Sequence, residues 1–184
     1  MNQPAQTGKH PKGLYVLFFT EMWERFGYYL MVGILFLFMT NSSGKGLPKA
    51  MGADVVGTFI ALVYLTPFIG GLLADRYLGY IKSIFIGGAL MAAGYLTIAL
   101  PGEYTAYIAM GLIIVGNGFF KPNISTLLGN MYNREDLRPL KDNGYNMFYM
   151  GINIGAFFCN FVAAILRNRI GWQAAFSAAG VGLI

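Results

Sequence analysis

Charged side chains inside a long apolar run constrain this chain more than any other feature. From Leu14 to Met39 the sequence is almost wholly apolar, and a run of that length can span a bilayer as a helix. The stretch TEMWERFGYY, residues 20–29, places two carboxylates and a guanidinium inside this run. Ionisable groups at such depth normally face a bundle interior or a wet cavity and take part in function. The first helix therefore predicts an integral membrane protein with a functional polar interior.

The charged residues fall on one side of the predicted helix. At about 100° per residue, the helix carries a polar stripe made of Glu21, Glu24, Arg25, Tyr28 and Val32. Its opposite, lipid-compatible face consists of Phe19, Trp23, Phe26 and Leu30. Glu21 and Arg25 form an i, i+4 pair in the favourable order, which leaves Glu24 without a partner on its own helix. A snorkelling pair near a helix end is the alternative, but roughly two to three turns precede the charges, which favours a functional role.

Composition agrees with a membrane protein and argues against several other classes. Of the 184 residues, 56% are hydrophobic and 11% are charged, whereas soluble domains carry about 25% charged residues. The net charge of +5 comes from Lys and Arg scattered between apolar runs, which argues against nucleic-acid binding. The single cysteine, Cys159, excludes an intrachain disulfide, and the sole histidine, His10, leaves no candidate metal site. We expect no cofactor.

Turn formers and charged loops divide the chain into six apolar segments. Residues 1–12 are polar, have no signal-peptide cleavage pattern and are predicted to form a cytoplasmic tail. The predicted helices cover about residues 14–40, 54–75, 82–100, 104–129, 144–166 and 172–184, the last shorter than the roughly 20 residues of a span. We therefore predict an all-α integral membrane fold: an N-terminal six-helix bundle, residues 13–184, truncated in helix six and continued in a longer protein.

Loop charges orient the predicted bundle. With the N-terminus inside, the inner segments hold seven basic residues: Lys9, Lys12, Arg76, Lys82, Arg134, Arg138 and Lys141. The outer loops hold four: Lys45, Lys49, Arg167 and Arg169. Because basic residues favour the cytoplasmic side, the bias predicts a cytoplasmic N-terminus.

A second intramembrane cation lies at the depth of the first-helix charges. Lys121, in the fourth segment, is about 10 Å from its cytoplasmic end, and the two glutamates are roughly 10–15 Å along the first helix. Together with Arg25, these residues sum to zero charge, so Lys121 is predicted to pair with Glu24. Protonation of Glu24 would release Lys121 and favour another arrangement of the bundle, which is the outline of a proton-coupled switch.

The fifth segment has two distinct faces. Its polar face carries Tyr149, Asn153, Ala156 and Asn160, and roughly opposite runs a small-residue stripe of Gly151, Gly155, Cys159 and Ala163. The stripe predicts close helix contact, and the polar face is equally compatible with ligand binding and with an interhelical hydrogen bond from Asn153. Tyr64, near the middle of the second segment, is by spacing alone more typical of packing than of ligand binding.

Four motifs resemble those of one family, the proton-dependent oligopeptide transporters of the major facilitator superfamily. The motifs are EMWERFGYY at 21–29, GGLLADRYLG at 70–79, GNGFFKPN at 116–123 and FYMGINIGA at 148–156. Their order and spread cover essentially the whole chain, although only the N-terminal half of the family's architecture.

The resemblance implies a fold of two six-helix bundles, each built of two three-helix repeats, that works by alternating access. It also implies symport of protons with di- and tripeptides across the cell membrane. In this sequence, the proton-coupling cluster would be Glu21, Glu24 and Arg25. The substrate would be bound by Arg25, Tyr28, Tyr64, Lys121 and Asn153. The loop motif that accompanies gating would contain Asp75 and Arg76.

One position departs from the family pattern. The pattern usually continues Tyr-Tyr-Gly-Met-Arg, but Tyr28–Tyr29 is followed here by Leu30, Met31 and Val32. An arginine at position 32 would be a planar, bidentate donor to the peptide carboxylate. Because valine replaces this arginine, an alternative function is transport of another solute by the same fold, such as a small anion or an amino-acid derivative. An intramembrane enzyme would need a nucleophile–base pair or a metal set at one depth, and His10 in the polar tail provides neither, so we do not expect an enzyme. A structural or assembly subunit is a further alternative.

The orientation makes a direct prediction for accessibility. In a Cys159→Ser background, Lys45→Cys should react with an impermeant thiol reagent on intact cells, because the loop around residue 45 is external. Arg138→Cys should react only after permeabilisation, since residues 130–143 form an inner loop. Labelling at position 138 but not at 45 on intact cells would reverse the orientation.

Overall fold

The chain folds into a bundle of helices joined by short connections. The structure is a computed structural model that describes residues 9–183. Its long helices are α1 (Lys12–Thr40), α2 (Lys49–Leu73), α3 (Tyr80–Ile98), α4 (Thr105–Met131), α5 (Lys141–Arg169) and α6 (Trp172–Val181). A π-helical turn, Ala74–Leu78, joins α2 to α3, and a 3₁₀ turn, Arg138–Leu140, precedes α5. The predicted all-α bundle is confirmed.

Contacts at its two ends show that the helices run up and down. At one end, Lys45 donates from Nζ to the carbonyl oxygens of Gly102 and Glu103, at 2.5 and 2.9 Å, which joins the α1–α2 loop to the α3–α4 loop. Trp172 at the start of α6 reaches the same end, where its Nε1 donates to Ser43 Oγ at 3.1 Å. The α2–α3 turn and the α4–α5 loop therefore lie at the opposite end, with the start of α1.

Helices α1 and α4 occupy equivalent places in the bundle. Helix α1 packs mainly on α5 and α6, whereas α4 packs mainly on α3 and α2. If the chain is divided into α1–α3 and α4–α6, the first helix of each half packs on the second and third helices of the other half. This exchange places α1 and α4, the two helices with intramembrane charges, at the centre of the bundle.

Glycines allow the backbones of α1 and α5 to approach closely. A Cβ atom added at Gly151 would lie 3.0 Å from the carbonyl oxygen of Phe18, and one at Gly155 would overlap the backbone of Met22. Cys159 and Ala163 continue the same buried stripe. The predicted small-residue packing face of helix five is confirmed, and α1 is its partner.

Several helices extend beyond the apolar runs that predicted them. Helix α2 begins at Lys49, directly after Pro48, instead of near residue 54, and α5 covers 141–169 instead of 144–166. The predicted charged turn after helix two is helical as far as Leu78 and ends at Gly79, whose φ of 76° suits glycine. Apolar periodicity ends where lipid or core contact ends, but backbone hydrogen bonding continues into polar residues.

Four helical segments are long and apolar enough to cross a membrane: Lys12–Thr40, Lys49–Leu78, Tyr80–Ile98 and Arg138–Arg169. Helix α4 is also long, but it carries Asn117, Lys121 and Asn123 among its apolar residues. Of the predicted N-terminal tail, residues 1–8 lie outside the described part. His10, expected in a free polar tail, instead forms a 2.7 Å hydrogen bond between its Nδ1 and the hydroxyl of the buried Tyr132.

The close contact of α1 and α5 predicts that glycines at this contact tolerate larger residues less well than exposed glycines elsewhere. Gly155→Val should lower the apparent unfolding temperature of the purified protein markedly, because overpacking against backbone atoms costs about 1–3 kcal/mol or more. The matched change Gly57→Val, in α2, should have little effect, since a Cβ there would meet nothing within 4 Å. Equal melting temperatures for the two variants would contradict the observed packing.

Candidate functional site

The most buried charges of the chain belong to one turn of α1. Glu24 has no exposed surface, and Glu21 and Arg25 are only 4% and 5% exposed. They lie inside because α1 is enclosed by α5, α6, α4 and α2 on different sides. The polar stripe read from the sequence is therefore an interior feature and not a snorkelling pair at a helix end.

Both carboxylates share the same guanidinium nitrogen. Arg25 Nε lies 3.4 Å from Glu21 Oε1 and also forms an ion pair and hydrogen bond with Glu24 Oε2. Among the described residues, Glu21 Oε2, Glu24 Oε1 and Arg25 Nη2 have no hydrogen-bond partner, although each is buried. With both acids ionised, the three side chains carry one surplus negative charge.

A row of aromatic and basic groups leads from this cluster towards α4. The Arg25 guanidinium lies 5.1 Å from the ring centroid of Tyr28, and the side chain of Tyr28 is within hydrogen-bonding reach of Tyr64 on α2. The Lys121 ammonium in turn lies 4.8 Å from the centroid of the Tyr64 ring. Spacing alone favours a packing role for Tyr64, yet the residue is 63% exposed and lies between Tyr28 of α1 and Lys121 of α4.

Lys121 is not the direct partner of Glu24. No ion pair within 4.0 Å includes Lys121 in the described residues, and Glu24 pairs with the adjacent Arg25 instead. Lys121 is close enough for its charge to act on Glu21. The prediction of a direct Glu24–Lys121 pair is wrong because a long arginine side chain can fold back along its own helix, which a helical wheel does not represent.

The predicted lipid-facing side of α1 is only partly exposed. Phe19 and Trp23 are exposed, whereas Phe26 and Leu30 are buried. Phe26 lies beside Gly155 of α5, which allows that helix to cover this part of α1. A single-helix pattern cannot reveal such coverage, since phenylalanine and leucine suit lipid and protein neighbours equally.

The polar face of α5 stays open in the described chain. Tyr149, Asn153 and Asn160 are exposed in the described chain. The side chain of Asn153 forms no hydrogen bond to another residue between 9 and 183, so of the two alternatives the interhelical hydrogen bond is not made within this part of the chain. The carboxamide of Asn160 faces Gly33 of α1, where Oδ1 would lie 2.6 Å from an added Cβ.

The loop motif lies far along the chain from the charged cluster. Asp75 and Arg76 are exposed in the π-helical turn between α2 and α3. Tyr80, the first residue of α3, is within hydrogen-bonding reach of Asp75 and of Asn130 near the end of α4. Tyr80 thus lies near both the turn and the end of α4, the helix that carries Lys121.

Val32 and Tyr95 complete the surroundings of the polar stripe. Val32 is half-buried against the apolar core, two turns beyond Glu24. Tyr95 of α3, which sequence reasoning missed, is fully buried and lies within electrostatic range of Glu24 and Arg25. A tyrosine on a small-residue helix beside Gly94 was the available signal, but nothing in the pattern indicated its neighbour.

The titratable residues do not form a metal site. In the described range, 9–183, no three His, Cys, Asp or Glu residues lie together in a way that could hold a metal ion. The cluster of α1 is suited to holding a proton or an organic cation or anion, since it offers two carboxylates and one guanidinium that are buried together.

Comparisons with known proteins identify the family. Residues 81–184 match the model of the POT family. The chain is 40% identical over 180 residues to a di-/tripeptide transporter of Lactococcus lactis subsp. lactis (strain IL1403), a match that covers 95% of this chain and 36% of that relative.

Solved structures agree. The crystal structure of the peptide transporter POT in complex with sulfate has a TM-score of 0.91 at 41% identity, and the match covers 97% of this chain and 37% of that one. A POT family transporter in complex with 5-aminolevulinic acid has a TM-score of 0.89 at 33% identity and covers 97% and 37%. The chain thus spans little more than a third of these proteins. It belongs to the POT family of multi-pass membrane transporters, and its helices form a partial bundle of that fold.

Proposed function

We propose that the protein containing this chain is a proton-coupled symporter that imports di- and tripeptides by alternating access. We further propose that it lies in the plasma membrane with its N-terminus in the cytoplasm, as the loop charges predict. The observation that carries the proposal is the pair of buried carboxylates, Glu21 and Glu24, that share Arg25. The characterised relatives supply the substrate class.

The shared guanidinium suggests how a proton could be coupled to movement. Two ionised carboxylates around one arginine leave a net negative charge in a site with almost no exposed surface. Binding of one proton makes the cluster neutral, whereas its release restores a charge that must be compensated nearby. Lys121, held on Tyr64, is the nearest second cation that could provide this compensation.

The aromatic row offers a route between proton and substrate. A peptide carboxylate that binds Lys121 would draw the ammonium away from the glutamates, so their surplus charge would favour uptake of a proton. Arg25 and Tyr28 belong to the same row, and Tyr64 and Asn153 have open polar surface for the rest of the peptide. Substrate and proton would then bind with positive coupling, as symport requires.

The loop motif could transmit the change to one end of the bundle. Asp75 and Arg76 lie in an exposed turn whose contact through Tyr80 reaches the end of α4. A tilt of α4 caused by movement of Lys121 would therefore alter this contact. We propose a gating role for Asp75 and Arg76 on this basis.

A second candidate is proton-coupled transport of another small solute. Val32 is the observation that favours it, because position 32 belongs to the polar stripe and lacks a cation for a second carboxylate contact. A family structure with 33% identity holds 5-aminolevulinic acid, which is not a peptide. An enzyme or an assembly subunit is less compatible with membership of a transporter family.

Neutralising Glu24 should separate driven uptake from exchange. In the full-length protein, Glu24→Gln should abolish peptide accumulation driven by a pH gradient, because glutamine permanently mimics the protonated acid. Exchange of labelled for unlabelled peptide, with the same pH on both sides of the membrane, should survive in part because it need not move a proton. Lys121→Ala should reduce both activities by about tenfold or more, since it removes a cation expected to bind substrate.

The control for this pair is Glu103→Gln, which changes an exposed glutamate in the α3–α4 loop. This variant should behave as wild type in both assays. Uptake is measured in proteoliposomes with a labelled dipeptide under an imposed pH gradient. Accumulation by Glu24→Gln at the wild-type level would refute the proposed coupling role.

Position 32 should discriminate between the two candidate substrates. If peptides are carried, Val32→Arg should raise the affinity for peptides with a free C-terminal carboxylate by about tenfold or more, because a charge-assisted hydrogen bond contributes roughly 1.5–3 kcal/mol. Desolvation of the new guanidinium will reduce this gain. Amidated peptides should gain little.

The matched control is Val32→Gln, which adds a long polar side chain without charge. Competition against a labelled dipeptide in proteoliposomes gives the affinities of each variant for free-acid and for amidated peptides. Equal gains for free-acid and amidated peptides would mean that the site does not recognise the carboxylate here. The result would favour transport of another solute.

A further inference from the structure

Tyr95 of α3 is a large polar side chain enclosed next to α1. It is fully buried, and its ring packs against α1 at Gly27, where an added Cβ would lie 3.1 Å from Tyr95 Cε2. Gly27 is three residues beyond Glu24 and therefore on the same side of α1. The missing side chain at position 27 thus allows a tyrosine from α3 to lie beside the charged turn.

The hydroxyl of Tyr95 and the free atoms of the cluster are complementary. Among residues 9–183, Tyr95 Oη has no hydrogen-bond partner, and the same holds for Glu24 Oε1 and Arg25 Nη2. Tyr95 interacts electrostatically with both Glu24 and Arg25. Because buried polar atoms in native proteins are almost always paired, an unpartnered buried donor within electrostatic range of an unpartnered buried acceptor calls for an explanation.

We propose that Tyr95 is a positioning residue for Glu24: its hydroxyl donates a hydrogen bond to the free carboxylate oxygen, directly or through one water. The inference rests on the proposed proton coupling. When Glu24 binds a proton, the phenol oxygen can accept a hydrogen bond from the carboxylic acid, but this neutral bond is weaker than the charge-assisted bond that the hydroxyl donates to the carboxylate. Tyr95 would thereby adjust the proton affinity of Glu24 without adding charge.

Other titratable groups near this contact are few. Helix α1 provides Glu21, Arg25 and Tyr28, α4 provides Lys121, and α2 provides Tyr64. From α5, Cys159 lies on the stripe that faces α1, and α6 has no titratable residue between Trp172 and Val181. Tyr95 is the one group of α3 within electrostatic range of the cluster, in the part of the chain that the structure describes.

The test measures the pH profile of uptake in the complete protein. Tyr95→Phe removes only the hydroxyl, so the carboxylate loses a donor and holds its proton more strongly. The midpoint of peptide uptake against external pH should therefore move upward by about 0.5–1 unit. Incorporation of 3,5-difluorotyrosine at position 95 makes the hydroxyl a stronger donor and should move the midpoint downward.

Tyr132→Phe is the matched control. Tyr132 is also fully buried, but its hydroxyl is bonded to His10 at the other end of α4, so its removal should leave the midpoint unchanged. A tyrosine at 95 that merely fills space would give unchanged midpoints in both variants, and this result would overturn the inference.

The outcomes separate this inference from the function on which it rests. Wild-type uptake that does not respond to a pH gradient would refute both. Proton-driven wild-type uptake, with the Tyr95→Phe midpoint unmoved, would refute the role of Tyr95 alone. If Tyr95→Phe is not recovered as folded protein, the fluorinated tyrosine decides, since it keeps the size and the hydroxyl: a downward shift supports the inference, and no shift overturns it.

Discussion

Two carboxylates that share one guanidinium in the middle of α1 impose the main constraint on this fold. Ion pairs of this kind are tolerated inside a membrane protein only where other helices exclude lipid from them. Glu21, Glu24 and Arg25 therefore require α1 to be enclosed, and α5, α6 and α4 provide the enclosure. The same burial makes the charge state of the cluster a significant energy term, because an uncompensated charge there has no solvent to stabilise it.

Small residues make the enclosure possible. Gly151 and Gly155 bring α5 against the backbone of α1, and Gly27 admits the ring of Tyr95 from α3. Since van der Waals packing is the main attraction between helices in lipid, such close approach is the principal source of their association. Packing and charge thus act on the same segment: residues that allow contact with α1 also determine which side chains face its acids.

Lys121 and Tyr64 give the cluster a connection to the open side of the bundle. The ammonium lies over an aromatic face and forms no ion pair with any residue between 9 and 183, so its position is held by a contact that is weaker than a buried salt bridge. A cation held in this way can respond to the charge of the glutamates and to an incoming anion. This arrangement differs from a direct Glu24–Lys121 pair, in which movement of the lysine would break a strong interaction.

The sequence alone determined the number and order of helices, the buried character of the α1 stripe and the glycine face of α5, because each depends on periodicity within one segment. It also supplied the predicted site residues, through the motifs at 21–29 and 116–123. Tertiary structure decided the pairings: Arg25 with both glutamates, Lys121 with Tyr64, Phe26 beneath α5, and Tyr95 against Gly27. These contacts depend on how separate helices approach and on side-chain rotamers, and neither is encoded in the spacing of residues along a single helix.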